Sequence, residues 1–294
     1  MTRSLPIRGV WLPLITPFRD GRLDETSVRR LVRHYAALPI EGFILAATTG
    51  EGMTLDTEET GRLVGLVATE SRLPILLGLS GSDTRALTQA LDHTAAWPID
   101  GHLIACPYYV RPSQEGLYRH FAALADATER PIVVYNIPYR TGVNLANETL
   151  LRLAQRSNIV GVKDCCADPA QSFDLLRARP PGFAVMTGED ALYYGALTHG
   201  ADGGILAAAH VETARFARIH AHVAAGDHRA ALALWRELVD LVRLLFAEPN
   251  PAPLKHWLWR AGLIDSPELR LPMVGVSNAL AARIDRQMEQ VCAA

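Results

Sequence analysis

Lys163 closes the apolar run Ile159-Val160-Gly161-Val162 and is one of only two lysines, with Lys255, among 29 basic residues. Every other positive side chain is arginine, which neither sheds its proton readily nor acts as an amine nucleophile. At the end of a buried strand, desolvation disfavours the ammonium form and leaves the free amine that addition to a carbonyl requires. The competing role is a lysine that snorkels its head to solvent; the scarcity of lysine weighs for chemistry. Groups of matching character end other apolar runs. Thr48-Thr49-Gly50-Glu51 presents two hydroxyls and exposed backbone N–H groups, either a cradle for a carboxylate or an ordinary helix-capping loop. Tyr135 brings a phenol that can relay protons or simply fill the core. Arg140 offers a planar fork for a carboxylate, against the role of a solvated loop arginine. Pro107-Tyr108-Tyr109 and Gly188-Glu189-Asp190 close two further runs.

Other combinations carry less. His220-Ala221-His222 has an HxH spacing but sits in a helical stretch, and His102, His199 and His210 are isolated, so no metal site is expected. Cys165-Cys166 beside Lys163 reads more simply as small buried side chains than as a thiolate. Lys255, after Asn250-Pro251-Ala252-Pro253-Leu254, reads as a helix-start or interface residue rather than a catalyst.

The elements that must position these groups are legible as an alternation. Apolar runs at Ile7–Phe18, Gly42–Thr49, Pro74–Ser80, Gly101–Tyr109, Pro131–Ile137, Ile159–Lys163, Phe183–Thr187 and Gly203–Ala208 read as strands buried on both faces, as in a parallel sheet. Helical patterns separate them, opening at Asp24, Thr57, Asp83, Ser113, Asn147 and Asp168-Pro169. Eight such repeats predict a (β/α)8 barrel, with active-site residues at the C-terminal ends of the strands. No GxGxxG follows the first strand, which counts against a doubly wound nucleotide-binding sheet. The strands stop near residue 225, and helical patterns at Ala230–Phe246, Leu254–Ala261 and Ser277–Gln290 follow. The expected organisation is a catalytic barrel over 1–225 with a C-terminal helical region over 226–294.

Composition narrows the function classes. The chain has 294 residues, 20% charged residues and a net charge of -2, a balance that argues against nucleic acid as a partner. No apolar run approaches the roughly 18 residues of a membrane-spanning helix, and Met1–Pro6 lacks the long apolar segment of a secretory signal. Four cysteines in so long a chain form no disulfide framework, so a reduced, cytoplasmic protein is expected.

Taken in order, these residues resemble the dihydrodipicolinate synthase / N-acetylneuraminate lyase family. The resemblance rests on Gly9-Val10 through Thr16-Pro17-Phe18, Thr48-Thr49-Gly50-Glu51, Pro107-Tyr108-Tyr109, Arg111–Tyr118, Tyr135-Asn136-Ile137-Pro138, Gly161-Val162-Lys163-Asp164, Gly200-Ala201-Asp202-Gly203 and Asn250–Lys255. It implies a class I aldolase-type lyase in which a 2-oxo acid such as pyruvate forms a Schiff base with Lys163 and, as an enamine, attacks an aldehyde. No metal or organic cofactor is implied. The resemblance also implies that Thr49 binds the oxo-acid carboxylate, with Gly50 and Ile205 completing the substrate-binding set. Protons would pass through Thr48, Tyr135 and Tyr109, the last reaching into a neighbouring subunit of a homotetramer built as a dimer of dimers. Arg140, in Tyr139-Arg140-Thr141-Gly142, resembles the arginine with which synthases grip aspartate semialdehyde; a 2-keto-3-deoxy sugar acid is the alternative substrate, and a non-catalytic binding barrel the bland one. Thr57 and Ala86 stand where lysine-inhibited synthases carry a histidine and an acid, which implies weak or absent lysine feedback.

Overall fold

The computed structural model describes residue 5 and residues 7–293; most of the N-terminal stretch on which the expectation about secretion rests lies outside them. Eight parallel strands close into a barrel: β1 (Gly9–Pro13), β2 (Gly42–Leu45), β3 (Ile75–Leu79), β4 (Gly101–Ala105), β5 (Ile132–Asn136), β6 (Ile159–Asp164), β7 (Ala184–Thr187) and β8 (Gly203–Ile205). Each strand pairs with its sequence neighbours, and β8 closes the ring on β1 through Gly9–Gly203 to Trp11–Ile205. The helices are α1 (Glu25–Ala36), α2 (Thr57–Glu70), α3 (Thr84–His93), α4 (Gln114–Asp126), α5 (Pro138–Thr141), α6 (Asn147–Leu153), α7 (Pro169–Ala178), α8 (Tyr193–Thr198), α9 (Ala209–Ala224), α10 (His228–Leu245), α11 (Ala252–Arg260) and α12 (Asn278–Ala293). The (β/α)8 barrel with added C-terminal helices expected from the alternation is the fold observed.

Six of the strands end before their apolar runs do, because the last residues of those runs leave the ladder to build the mouth; β6 instead runs one residue further, to Asp164, and β7 ends with its run at Thr187. The first run ends its pairing at Pro13, and Phe18–Arg19 instead pairs antiparallel with Arg22–Leu23. Helix starts follow cap chemistry. Asp24, Asp83, Ser113 and Asp168 each accept a backbone N–H in the first turn. At α2 the cap is Asp56 rather than Thr57: Asp56 accepts from Glu59 N at 2.8 Å while Glu59 accepts from Asp56 N at 3.3 Å, a reciprocal capping box that Thr57 could not complete from its position.

Alternation along each strand sorts side chains into two cores. Trp11, Ile44, Leu76, Leu103, Val133 and Met186 fill the barrel interior, while neighbours such as Val134 and Val162 pack outward beneath the helices. A side chain at Gly42 would collide with the Trp11 ring, so the indole has room only beside glycine. The C-terminal helices are not a separate layer: Leu238, Val242, Leu245, Leu254 and Trp257 share one apolar cluster with Leu12, Leu45 and Val28 of the barrel. No helix of the described residues is long and apolar enough to cross a membrane.

His210 ties the end of β1 to the segment after β8. Its Nε2 accepts from Ile15 N at 3.3 Å and its Nδ1 lies 2.8 Å from the Ala207 carbonyl, the arrangement of a neutral ring. Burial holds His210, His102 and His120 each at about 4. The unfolded chain therefore takes up protons near pH 6.5 that the native state refuses until about pH 4, so stability falls as pH drops through that window. The thermal midpoint is expected to fall between pH 7 and pH 4.5, and less steeply in His210→Gln; equal slopes in the two proteins would show that His210 contributes nothing.

Candidate active site

Tyr135 of β5 and Lys163 of β6 are direct partners in the strand register. Because Val134 and Val162 face outward, both polar side chains point into the barrel. Lys163 is 6% exposed, and its Nζ sits 4.3 Å from the centre of the Tyr135 ring. Desolvation pushes the Lys163 ammonium down, toward the free amine, while the acids Asp190 and Glu189 oppose that shift. Cys165 does not compensate the charge: its own burial raises the thiol well above its ordinary range, so it is neutral at pH 7. Burial likewise raises Tyr135, which keeps its phenolic proton and can donate it. Asp190 is pushed up to about 7 by burial, against the 2.6 Å hydrogen bond it accepts from Ala208 N.

The room for this amine comes from a residue with no side chain. A methyl group at Gly188, just past β7, would overlap Lys163 Cε and Cys165 Sγ. Gly188 was visible in the sequence only as part of a strand-end loop; its packing against Lys163 depends on barrel closure.

The loop after β2 carries Thr48, Thr49 and Gly50. Thr48 is half-buried, and its carbonyl accepts from Glu51 N at 3.1 Å. Thr16 Oγ1 donates to the Gly50 carbonyl at 2.6 Å, and a Cβ on Gly50 would stand 2.8 Å from the Leu14 carbonyl. Glu51 adopts the left-handed region at φ 50, a conformation that costs a non-glycine residue about 1–2 kcal/mol. Three contacts from the C-terminal region hold this loop. Asn250 Nδ2 donates to Thr49 Oγ1 at 2.9 Å, both residues buried. Lys255 Nζ lies 2.5 Å from Glu51 Oε1, with the side chains 0% and 1% exposed. The ammonium, with three donors, also donates to the Glu268 carbonyl at 2.7 Å. Glu51 Oε2 accepts from Arg270 N at 3.0 Å. Removing one member of such a buried pair leaves an uncompensated charge, at a cost of about 3–5 kcal/mol. The sequence reading of Lys255 as a helix-start or interface residue missed this partner; the signal available was lysine used where the chain otherwise uses arginine.

Arg140 lies on the one-turn α5, exposed, and lines a cavity of about 530 Å3 with Gly188, Asp190 and Asn250. Tyr139 Oη donates to Glu189 Oε1 at 2.9 Å across that mouth. Ile205 ends β8 fully buried, packed in the barrel interior with Tyr135 and Cys165. Tyr109 stands apart, 90% exposed and with φ 72, its N–H donating to the Thr141 carbonyl at 3.0 Å. Among the described residues no group of three or more His, Cys, Asp or Glu is placed to hold a metal ion.

A buried, depressed lysine in a barrel mouth is a site found in more than one enzyme family, and comparison with known proteins decides between them. Residues 6–291 match the model of the Dihydrodipicolinate synthetase family. The chain belongs to this family. It is 43% identical over 284 residues to 4-hydroxy-tetrahydrodipicolinate synthase 2 of Clostridium acetobutylicum, covering 96% of this chain and 99% of that protein. Among solved structures it is similar to the chloride-inhibited dihydrodipicolinate synthase from Acinetobacter baumannii complexed with pyruvate, at 33% identity and a TM-score of 0.92 over 97% of this chain and 98% of that one. It is also similar to a monomeric dihydrodipicolinate synthase variant, at 32% identity and a TM-score of 0.93 over 96% of each chain.

Within a dihydrodipicolinate synthetase family barrel, the Gly188 contact makes a sharp expectation. Gly188→Ala should fold, because the clash falls on the Lys163 and Cys165 side chains rather than on backbone, yet displace the amine from Tyr135. A loss of about 100-fold in kcat is expected; a steady-state assay with activity within threefold of wild type would refute the packing argument.

Proposed function

We propose that the chain condenses pyruvate with aspartate semialdehyde to 4-hydroxy-tetrahydrodipicolinate, the entry to lysine and diaminopimelate synthesis. The observation that carries this reading is the buried Lys163 amine in register with Tyr135. The amine adds to the keto carbon of pyruvate and one water leaves as the imine forms. Loss of a C3 proton gives the enamine, whose carbon bonds to the aldehyde carbon; the aldehyde oxygen, protonated, becomes the 4-hydroxyl. The semialdehyde's own amine then displaces Lys163 from the imine carbon and closes the ring, so the net by-product is one water.

In this reading Thr49 and the backbone at Gly50 receive the pyruvate carboxylate, and Ile205 lines the interior beneath it. Thr48, Tyr135 and Tyr109 pass protons, and Arg140 grips the semialdehyde carboxylate. The exposure of Tyr109 supports its completion of a neighbouring subunit's site in a homotetramer. Residues 1–225 supply the catalytic barrel and residues 226–294 the helices that brace its mouth. The enzyme works in the cytoplasm with no metal or organic cofactor, the substrate itself being the covalent partner of Lys163.

Borohydride reduction in the presence of pyruvate should add the reduced three-carbon unit to the Lys163 peptide, read by mass spectrometry. Lys163→Arg should keep the charge and the fold, take no label, and lose at least about 1000-fold in activity. Failure to label the wild-type protein would reject the Schiff-base reading. Labelling without turnover of aspartate semialdehyde, but with turnover of a 2-keto-3-deoxy sugar acid, would move the protein to the aldolase or dehydratase branch. Lysine should inhibit weakly or not at all: Thr57 and Ala86, both exposed on one surface cavity, offer no charge to pair with it. Strong inhibition at low lysine concentration in the same assay would overturn that expectation.

A further inference from the structure

Asn250 and Lys255 are held against the carboxylate loop by contacts that the covalent chemistry does not use. Both are contributed from the C-terminal helical region, 201 residues along the chain from the loop in the case of Asn250 and Thr49. The hydrogen bond between them has a direction with consequences. A hydroxyl that accepts from an amide N–H keeps its own proton free to donate elsewhere. Asn250 Nδ2 therefore orients Thr49 as a donor, the form needed to bind an anion. At the other end of the loop, Glu51 is held left-handed at φ 50, and its carboxylate is pinned between Lys255 Nζ and the Arg270 N–H. A left-handed non-glycine residue persists only where its surroundings over-determine it. Here the surroundings are the buried ion pair, further packed by Lys255 Nζ lying 4.4 Å from the Phe18 ring centre. The turn so pinned sets the direction of the N–H groups that precede it.

We propose that Asn250 and Lys255 are positioning residues for the 2-oxo-acid carboxylate: Asn250 sets Thr49 as a hydrogen-bond donor, and Lys255, through Glu51, holds the turn that aims the loop at the substrate. Neither touches the reacting carbon. Their contribution is to the affinity for the oxo acid rather than to the rate of carbon–carbon bond formation. Lysine rather than arginine is required at position 255 because the site is closed on all sides, at 0% exposure. A compact ammonium can serve both Glu51 and the Glu268 carbonyl there, whereas a guanidinium fork needs more room. Burial lowers Lys255 to about 8, with Glu51 opposing the shift, so it remains largely charged at neutral pH.

This inference rests on the reading of Thr49 as the carboxylate ligand, and the test separates the two. The measurement is the pyruvate concentration at half-maximal borohydride labelling of Lys163, which needs no assumption about the aldehyde, together with kcat and KM. Asn250→Ala removes the donor to Thr49. Asn250→Asp reverses the bond, taking the Thr49 proton and placing a negative charge beside the carboxylate. The half-saturating pyruvate concentration should rise in the order wild type, Asn250→Ala, Asn250→Asp, by about tenfold at the last step, with kcat within about threefold. The neutral double variant Glu51→Gln/Lys255→Met, which avoids a lone buried charge, should raise it about fivefold. If that variant does not fold, the two Asn250 variants decide the matter alone. Folded Asn250 variants with unchanged half-saturation, in a wild-type protein that labels normally, would overturn the inference and leave the proposed function standing. A wild-type protein that takes no label would overturn both.

Discussion

Keeping an amine dry is the constraint on which this structure turns. An ammonium taken out of water loses its hydration, and unless a partner replaces it the proton is released. Lys163 is buried with an aromatic face beside it and a neutral thiol two residues on, a setting that withholds full compensation. Closing the barrel creates that environment, and Gly188 leaves it wide enough for the side chain. The acids Asp190 and Glu189 sit near enough to moderate the shift without abolishing it.

The second lysine is treated in the opposite way. Lys255 is also buried, yet it is given a carboxylate at 2.5 Å and a carbonyl at 2.7 Å. One lysine is left short of partners, which favours its free amine; the other is satisfied and stays charged. In both places arginine would fail, at Lys163 because it cannot supply a neutral amine and at Lys255 because the space is closed.

This pairing also explains why the C-terminal helices belong to the barrel physically. They share its apolar cluster, and the segment entering α11 and the first turn of that helix reach the mouth with Asn250 and Lys255. Packing energy and site geometry therefore come from the same contacts, so a change in the helical region can alter substrate affinity without touching a strand.

Much of the architecture was legible in the chain because it depends on local periodicity. Continuous apolar runs mark strands buried on both faces, and Asp24, Asp83, Ser113 and Asp168 mark helix starts by chemistry confined to one turn. Lys163, Tyr135 and the Thr48–Gly50 loop could be singled out because a barrel strand's C-terminal end is readable as the end of an apolar run. Six of the eight strand ends were placed too late, since the residues that leave the ladder to form the mouth continue the apolar run. By itself, then, the sequence determined the barrel and the family, and singled out Lys163 as the candidate for carbonyl chemistry. Only the tertiary structure decided that Tyr109 stands exposed, that Gly188 makes room for the amine, and that Lys255 finds Glu51. Those facts depend on which surfaces closure brings together, in the case of Lys255 and Glu51 across some 200 residues of chain, and no periodicity encodes a contact of that range.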